Sequence, residues 1–268
     1  DVRHRAAEIR TRIGYMPENV PLYPDLRVGA LSVPASVVGG EFAEIRWSVD
    51  NHGSVDGGGS WTDQIFLARA GVTYKFADVT HSGPLATGEI YDAAADLAIP
   101  LDFSGDYELS VVSDGGNALD DRGRSNNRAL ATVTVDLSPY ADLAVSGLTA
   151  PQTLIADPAT LAVAWTVSNV GSGAGSSSSW TDRVLLSRDD IAGNADDQLL
   201  GEYRHSGALA SGESYSRSEQ IVLAARTSGR FRLFVVGDAR DEVFENHSEA
   251  NNVGRLAHTV SSRRQARS

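Results

Sequence analysis

Hydrophobic residues recur along this chain at every second position, in short runs separated by turns. Ile45, Trp47 and Val49 alternate with Glu44, Arg46 and Ser48, the pattern of a strand with one buried face. Tyr107, Leu109 and Val111 alternate with Glu108 and Ser110, and Phe231, Leu233 and Val235 keep the same rhythm further on. Asn51-His52-Gly53, Gly57-Gly58-Gly59, Ser82-Gly83-Pro84 and Ser228-Gly229 supply turns between the runs. No segment sustains a helical apolar stripe with caps. The pattern predicts an all-β protein.

The runs come in two copies. Asp25-Leu26-Arg27-Val28 returns as Asp142-Leu143-Ala144-Val145, and Trp47-Ser48-Val49-Asp50-Asn51-His52-Gly53 as Trp165-Thr166-Val167-Ser168-Asn169-Val170-Gly171. Ser60-Trp61-Thr62-Asp63 recurs unchanged as Ser179-Trp180-Thr181-Asp182. The stretch from His81 to Glu89 matches that from His205 to Glu213, with Tyr91 and Tyr215 following, and Asn126-Asn127 matches Asn251-Asn252. Small growth in the offset between fixed blocks places insertions in loops. The units are residues 25–136 and 142–260, joined by a link at 137–141 and followed by a tail at 261–268. Short strands at this spacing predict two tandem immunoglobulin-like β-sandwich domains of seven strands each.

Composition narrows the function. The 268 residues carry a net charge of −12, which disfavours nucleic acid and anionic membrane surfaces as partners. Cysteine is absent, so disulfides, thiolate catalysis and Cys-containing zinc sites are excluded. Apolar runs fall far short of the roughly 18 residues a membrane helix needs, so no membrane insertion is expected. No Gly-x-Ser-x-Gly, Gly-Lys-Ser/Thr or His-Glu-x-x-His occurs, and no catalytic residue is nominated. The expectation is a chain that is not an enzyme.

Trp47 and Trp165 lie on the apolar phase of their strands and read as core. Trp61 and Trp180 follow Gly/Ser-rich loops and read the same way. Asn51, Asn169, the two Asn pairs, Asp63 and Asp182 read as residues bonding local backbone at strand ends. His81 and His205, each before Ser-Gly, read as turn residues. The acidic stretch 189–197 is the candidate ion site. Asp189, Asp190, Asn194, Asp196 and Asp197 offer the oxygen donors calcium prefers, although their spacing does not follow the EF-hand order.

Pro24-Asp25-Leu26, the Trp-x-Val-x-Asn-x-Gly strand, Trp-Thr-Asp and the closing Asn-Asn together resemble the CARDB family, cell-adhesion-related domains found in bacteria, close to APHP-type modules. The resemblance covers roughly residues 24–136 and 141–260. It is clearer in the second unit, where Leu185-Leu186-Ser187-Arg188-Asp189 is similar to the family's strand and acidic loop. Glu242, Glu245, Glu249, Asn251 and Asn252 there resemble its usual ending. The first unit has Asp120-Asp121 with Arg122 and Arg124 instead of the glutamates. The resemblance implies an extracellular or cell-surface module pair of a larger secreted bacterial protein. Its role would be adhesion or spacing, with protein or cell-surface polysaccharide partners and no catalysis. A second reading is a calcium- or carbohydrate-binding accessory module of a secreted enzyme.

Residues 1–24 belong to neither copy. The segment from Arg10 to Leu26 resembles the region around the Q-loop of ABC-transporter ATP-binding subunits, with Glu18 where many members carry Gln. No Walker A, signature or Walker B motif accompanies it. The expectation is a leader, not a domain, joined where Pro24-Asp25-Leu26-Arg27-Val28 fits both patterns. A third reading follows: a truncated or misassembled subunit of that kind fused to CARDB repeats.

Overall fold

The computed structural model describes residues 22–263. The chain divides into two compact units, the second beginning at Pro139.

The first unit contains β1 (Leu26–Ser32), β2 (Ser36–Val38), β3 (Phe42–Asn51), β4 (Ser60–Arg69), β5 (Val72–Ser82), β6 (Ile90–Ala98), β7 (Gly105–Val112) and β8 (Arg128–Asp136). They form a three-stranded sheet, β1-β3-β6, facing a five-stranded sheet, β2-β8-β7-β4-β5. All pairings are antiparallel except β2 with β8. β1 and β2 are one strand broken at Val33-Pro34-Ala35, so that it starts in one sheet and ends in the other. Proline cannot donate to a ladder and suits that break.

The second unit repeats the plan with β9 (Leu143–Thr149), β10 (Thr153–Ile155), β11 (Thr160–Asn169), β12 (Ser179–Ser187), β13 (Gln198–Ser206), β14 (Ser214–Val222) and β15 (Gly229–Val236), then β16 (Val253–Arg255) and β17 (Val260–Arg263). Pro151 stands at the same break between β9 and β10. Here the final strand is also split, β16 and β17 both pairing with β15. With each broken strand counted once, both units are seven-strand immunoglobulin-like sandwiches, as the sequence predicts.

The period-two pattern does what it predicts. In β3 and β11 every second residue is buried, including Trp47 and Trp165. Leu26, Ile45, Val49, Ile65, Leu67, Leu109 and Val111 fill the first core. Leu143, Leu161, Val167, Val184, Leu186, Leu233 and Val235 fill the second. Across the five-stranded sheet, β4 and β7 register Ile65 opposite Val111 and Leu67 opposite Leu109, pairing large apolar side chains on one face.

Candidate functional site

The repeated polar residues lie inside the sandwiches. The indole N–H of Trp47 donates to Asp63 Oδ2 at 2.8 Å, and the Tyr91 hydroxyl donates to the same oxygen at 2.8 Å. Trp61 donates in turn to the Tyr91 oxygen at 3.1 Å. The second unit reproduces every bond: Trp165 to Asp182 at 2.9 Å, Tyr215 to Asp182 at 2.7 Å, and Trp180 to Tyr215 at 3.0 Å. Trp47 and Tyr91 come from one sheet, Trp61 and Asp63 from the other, so the network ties the two layers. Burial raises the Asp182 carboxyl above its usual range, while the bonds from Trp165 and Tyr215 pull it back. The same burial, with Asp182 beside it, pushes the Tyr215 hydroxyl up.

This differs from the sequence-based reading of Asp63 and Asp182 as strand-end residues bonding local backbone. They are buried acceptors for side chains far along the chain. His81 and His205 are not turn residues either. Each sits in an edge strand and stacks on a tyrosine, His81 on Tyr91 at 4.1 Å and His205 on Tyr215 at 4.0 Å. All four tryptophans are buried, which leaves no tryptophan platform for a sugar.

Asn51 and Asn169 each use their full hydrogen-bonding capacity. Asn169 Oδ1 accepts from Asp142 N at 3.0 Å and Gly171 N at 2.9 Å, and its amide donates to the carbonyls of Gly173 and Leu209. Asn51 makes the matching set with Asp25, Gly53, Val55 and Leu85. The glycine two residues on is required by space. A Cβ at Gly53 would collide with the Tyr23 carbonyl, and one at Gly171 with the Tyr140 carbonyl. Ser54 N–H donates to Tyr23 O at 3.2 Å, so Tyr23 is part of the first sandwich.

Asn169 thus gathers the start of β9, the β11–β12 loop and the β13–β14 loop at one end of the second unit. The β15–β16 loop joins them, through the Ser177 hydroxyl donating to Glu242 O at 2.6 Å. In this loop Asp238 is buried with its carboxylate accepting from Glu242 N and Val243 N, both at 2.8 Å. Asp238 and Asp241 adopt left-handed backbone, as do Asp114 and Asn117 at the same repeat positions. Glu245 is only 1% exposed. Neither of its oxygens has a hydrogen-bond partner of normal geometry. Burial pushes its acid up to about 8, opposed in part by the facing Leu143 N–H and reinforced by the charges of Glu249 and Asp238. Asp238 and Glu249 are raised too, first by burial and then by acidic neighbours, Asp241 among them.

The first unit resolves the same loop with a cation. Asp114 accepts from Ala118 N and Leu119 N as Asp238 does from its own loop. Arg124, at the repeat position of Glu249, donates to Asp114 Oδ2 at 3.1 Å and to the Leu119 carbonyl at 2.6 Å. Asp121, the counterpart of Glu245, accepts from Leu26 N at 2.9 Å and Gly123 N at 2.8 Å.

The sequence-nominated stretch 189–197 lies in the β12–β13 loop. The single O–H of the buried Ser187 lies within reach of both Asp189, at 3.2 Å, and Asp196, at 3.3 Å, and Asn194 donates to Asp189 at 2.9 Å. Asp197 accepts from Gly193 N. The Ile191 N–H, with Asn194 and Ser187, holds the Asp189 carboxyl below its usual range. Asp190 is drawn away by Arg232 at 2.7 Å and Arg255 at 3.0 Å. The fold therefore brings Asp189, Asn194 and Asp196 together around Ser187 and leaves Asp190 outside. Among the described residues no three His, Asp or Glu side chains converge at metal-ligating distance.

A family model for CARDB matches residues 23–131 and 140–255. The chain belongs to the CARDB family. CARDB domains are a non-catalytic family associated with cell surfaces. The match begins at residue 23, and the likeness of the leader to an ABC-transporter Q-loop segment finds no support. Residues 1–21, which carry most of that likeness, lie outside the described residues.

Among solved structures, the chain is similar to the CARDB domain of a Pyrococcus furiosus protein crystallised in complex with di-metal ions. That match has 22% identity and a TM-score of 0.36, over 45% of this chain and 100% of that one. It is also similar to a domain from a Methanosarcina acetivorans protein whose name assigns it to the cell surface. There identity is 25% and the TM-score 0.32, over 42% of this chain and 93% of that one. A β-glucosidase from Listeria innocua matches at 12% identity and a TM-score of 0.32, over 51% of this chain and 20% of the enzyme. No curated protein matches the chain. No helix among the described residues is long and apolar enough to cross a membrane.

Proposed function

We propose that this CARDB pair is a non-enzymatic part of a larger extracellular or cell-surface protein, where it spaces neighbouring domains and offers its loop ends to protein or polysaccharide partners. The observation that carries this reading is how both modules use the same polar residues. Asp63, Tyr91, Trp47 and Trp61 in one, and Asp182, Tyr215, Trp165 and Trp180 in the other, are engaged with each other inside the cores. Two copies built alike around internal staples favour selection for a stiff unit over selection for chemistry. The charge of −12 suits a surface that stays soluble in a crowded extracellular layer.

Antibodies against the chain test the location and a surface-binding assay tests the role. Intact source cells should label as strongly as lysed ones. Immobilised chain should retain cell-surface polysaccharide or surface protein from the same cells. Labelling that needs lysis would remove the extracellular reading, and turnover of a glycoside substrate panel would remove the non-enzymatic one.

A further inference from the structure

We propose that the loop end of the second module binds a divalent cation of the calcium class through Asp238, Glu245 and Glu249, where the first module has Arg124 instead.

The two modules solve one electrostatic problem in two ways. The first pairs Asp114 with the guanidinium of Arg124 and gives Asp121 two main-chain N–H partners. The second holds Asp238 and Glu245 at the corresponding positions and carries Glu249 in place of the arginine. Exchanging a positive for a negative side chain lowers the local charge by two, which is the charge a divalent cation restores. Among the described residues Asp238, Glu245 and Glu249 form no ion pair with a basic side chain. Arg204 pairs with Glu242 and Arg240 with Glu202.

Glu245 is the independent observation. A carboxylate this deeply buried is ordinarily paired, bonded or metal-bound, because desolvating it alone is costly. Its first-module counterpart Asp121 has two N–H partners, whereas the Leu143 N–H and the Asn252 amide face Glu245 without a hydrogen bond of normal geometry to either oxygen. The side-chain oxygens of Asn251 and Asn252 are unpartnered, as are those of Asn126 and Asn127 in the first module's version of this ending, so of these groups Glu245 alone sets the second module apart. The available donors are carboxylate and amide oxygens, the set a hard cation takes. The three acidic groups do not yet converge at ligating distance. Glu249, exposed at the start of the one-turn helix Glu249–Asn252, accepts from the Asn252 amide at 2.8 Å and would leave that bond to close onto the other two.

The test uses the full chain, with calcium chloride and with chelator, followed by thermal melting and titration calorimetry. Calcium should raise the Tm of the wild type by on the order of 5 °C at saturating concentration. Glu245→Gln should weaken binding at least about tenfold, and Glu249→Arg, which transplants the first module's arrangement, should abolish the response while melting higher than wild type in chelator. That gain in chelator separates loss of a site from loss of folding. The double variant Asp189→Asn/Asp196→Asn should respond as wild type does. No calcium response in the wild type, a response that survives Glu249→Arg, or one that disappears in the 189/196 variant would each overturn the proposal.

Discussion

Trp47 donates its indole N–H to Asp63 at 2.8 Å, joining β3 to β4 across the interior, and the pair Trp165–Asp182 repeats the bond at 2.9 Å. One carboxylate oxygen in each module accepts from both a tryptophan and a tyrosine. Removing the acceptor strands two buried donors at once. Asp63→Ala or Asp182→Ala should therefore cost about 2–4 kcal/mol, more than a single lost hydrogen bond. Trp47→Ala or Trp165→Ala, which also empties an aromatic site, should cost about 3–5 kcal/mol. Denaturant titration of the full chain measures both, and losses below about 1 kcal/mol would place these residues outside the core.

The Asn-x-Gly turn should be equally intolerant for a different reason. Gly171→Ala drives a Cβ into the Tyr140 carbonyl, a main-chain atom that cannot rotate aside. We expect a loss of about 1–3 kcal/mol. Gly58→Ala, with open space around the added carbon, should change stability by less than about 1 kcal/mol. Equal effects at the two positions would contradict the close approach.

Arg124 should matter more than an ordinary surface arginine, because its partner Asp114 is fully buried. Arg124→Ala leaves that carboxylate with its N–H bonds alone. The arginine is itself one-third exposed, so solvent screens part of the pair and a loss of about 1–3 kcal/mol is expected. Asp190→Asn, at an exposed pair with Arg232 and Arg255, should cost less than about 1 kcal/mol. Reversal of that order in chemical denaturation would count against the role assigned to Arg124.

Glu245 gives the second module a pH dependence of definite sign. Folding raises its acid from an ordinary value near ~4.3 to about 8. The folded protein therefore holds this proton more tightly than the unfolded chain. The stability it contributes is fully present below about pH 4 and is lost as pH rises through about 8. Asp238 and Glu249, which face it, act in the same direction, while Asp25, Asp189 and Glu202 have lowered acids and act oppositely in acid. Between roughly pH 5 and 8 in chelator, Tm should fall for the wild type and fall much less for Glu245→Gln. Parallel curves for the two proteins would show that Glu245 does not carry the effect.

The sequence by itself determined the class of fold and the placement of the cores. The pleat turns successive side chains to opposite faces, so Ile45, Trp47 and Val49 announce their burial within five residues of chain. The two copies then marked the module framework, while the strand breaks at Pro34 and Pro151 became visible only in the fold. Partner choice needed the tertiary structure. Asp63 reads as a strand-end residue until the facing sheet brings Trp47 and Tyr91 to it, because hydrogen bonds across a sandwich leave no trace in local periodicity. For the same reason the dense acidic run at 189–197 is more legible in the sequence than the sparser ending. Its neighbours in sequence satisfy one another through local N–H and hydroxyl groups, and Asp190 turns out to two arginines. Asp238 and Glu245, spaced along a loop, are buried by folding beside Glu249 with no basic side chain paired to them, and their mutual repulsion arises only there. One signal of this was present in the chain: Arg124 and Glu249 stand two residues before their respective Asn pairs with opposite charge. Its meaning came from the fold, which places Arg124 directly over a buried carboxylate.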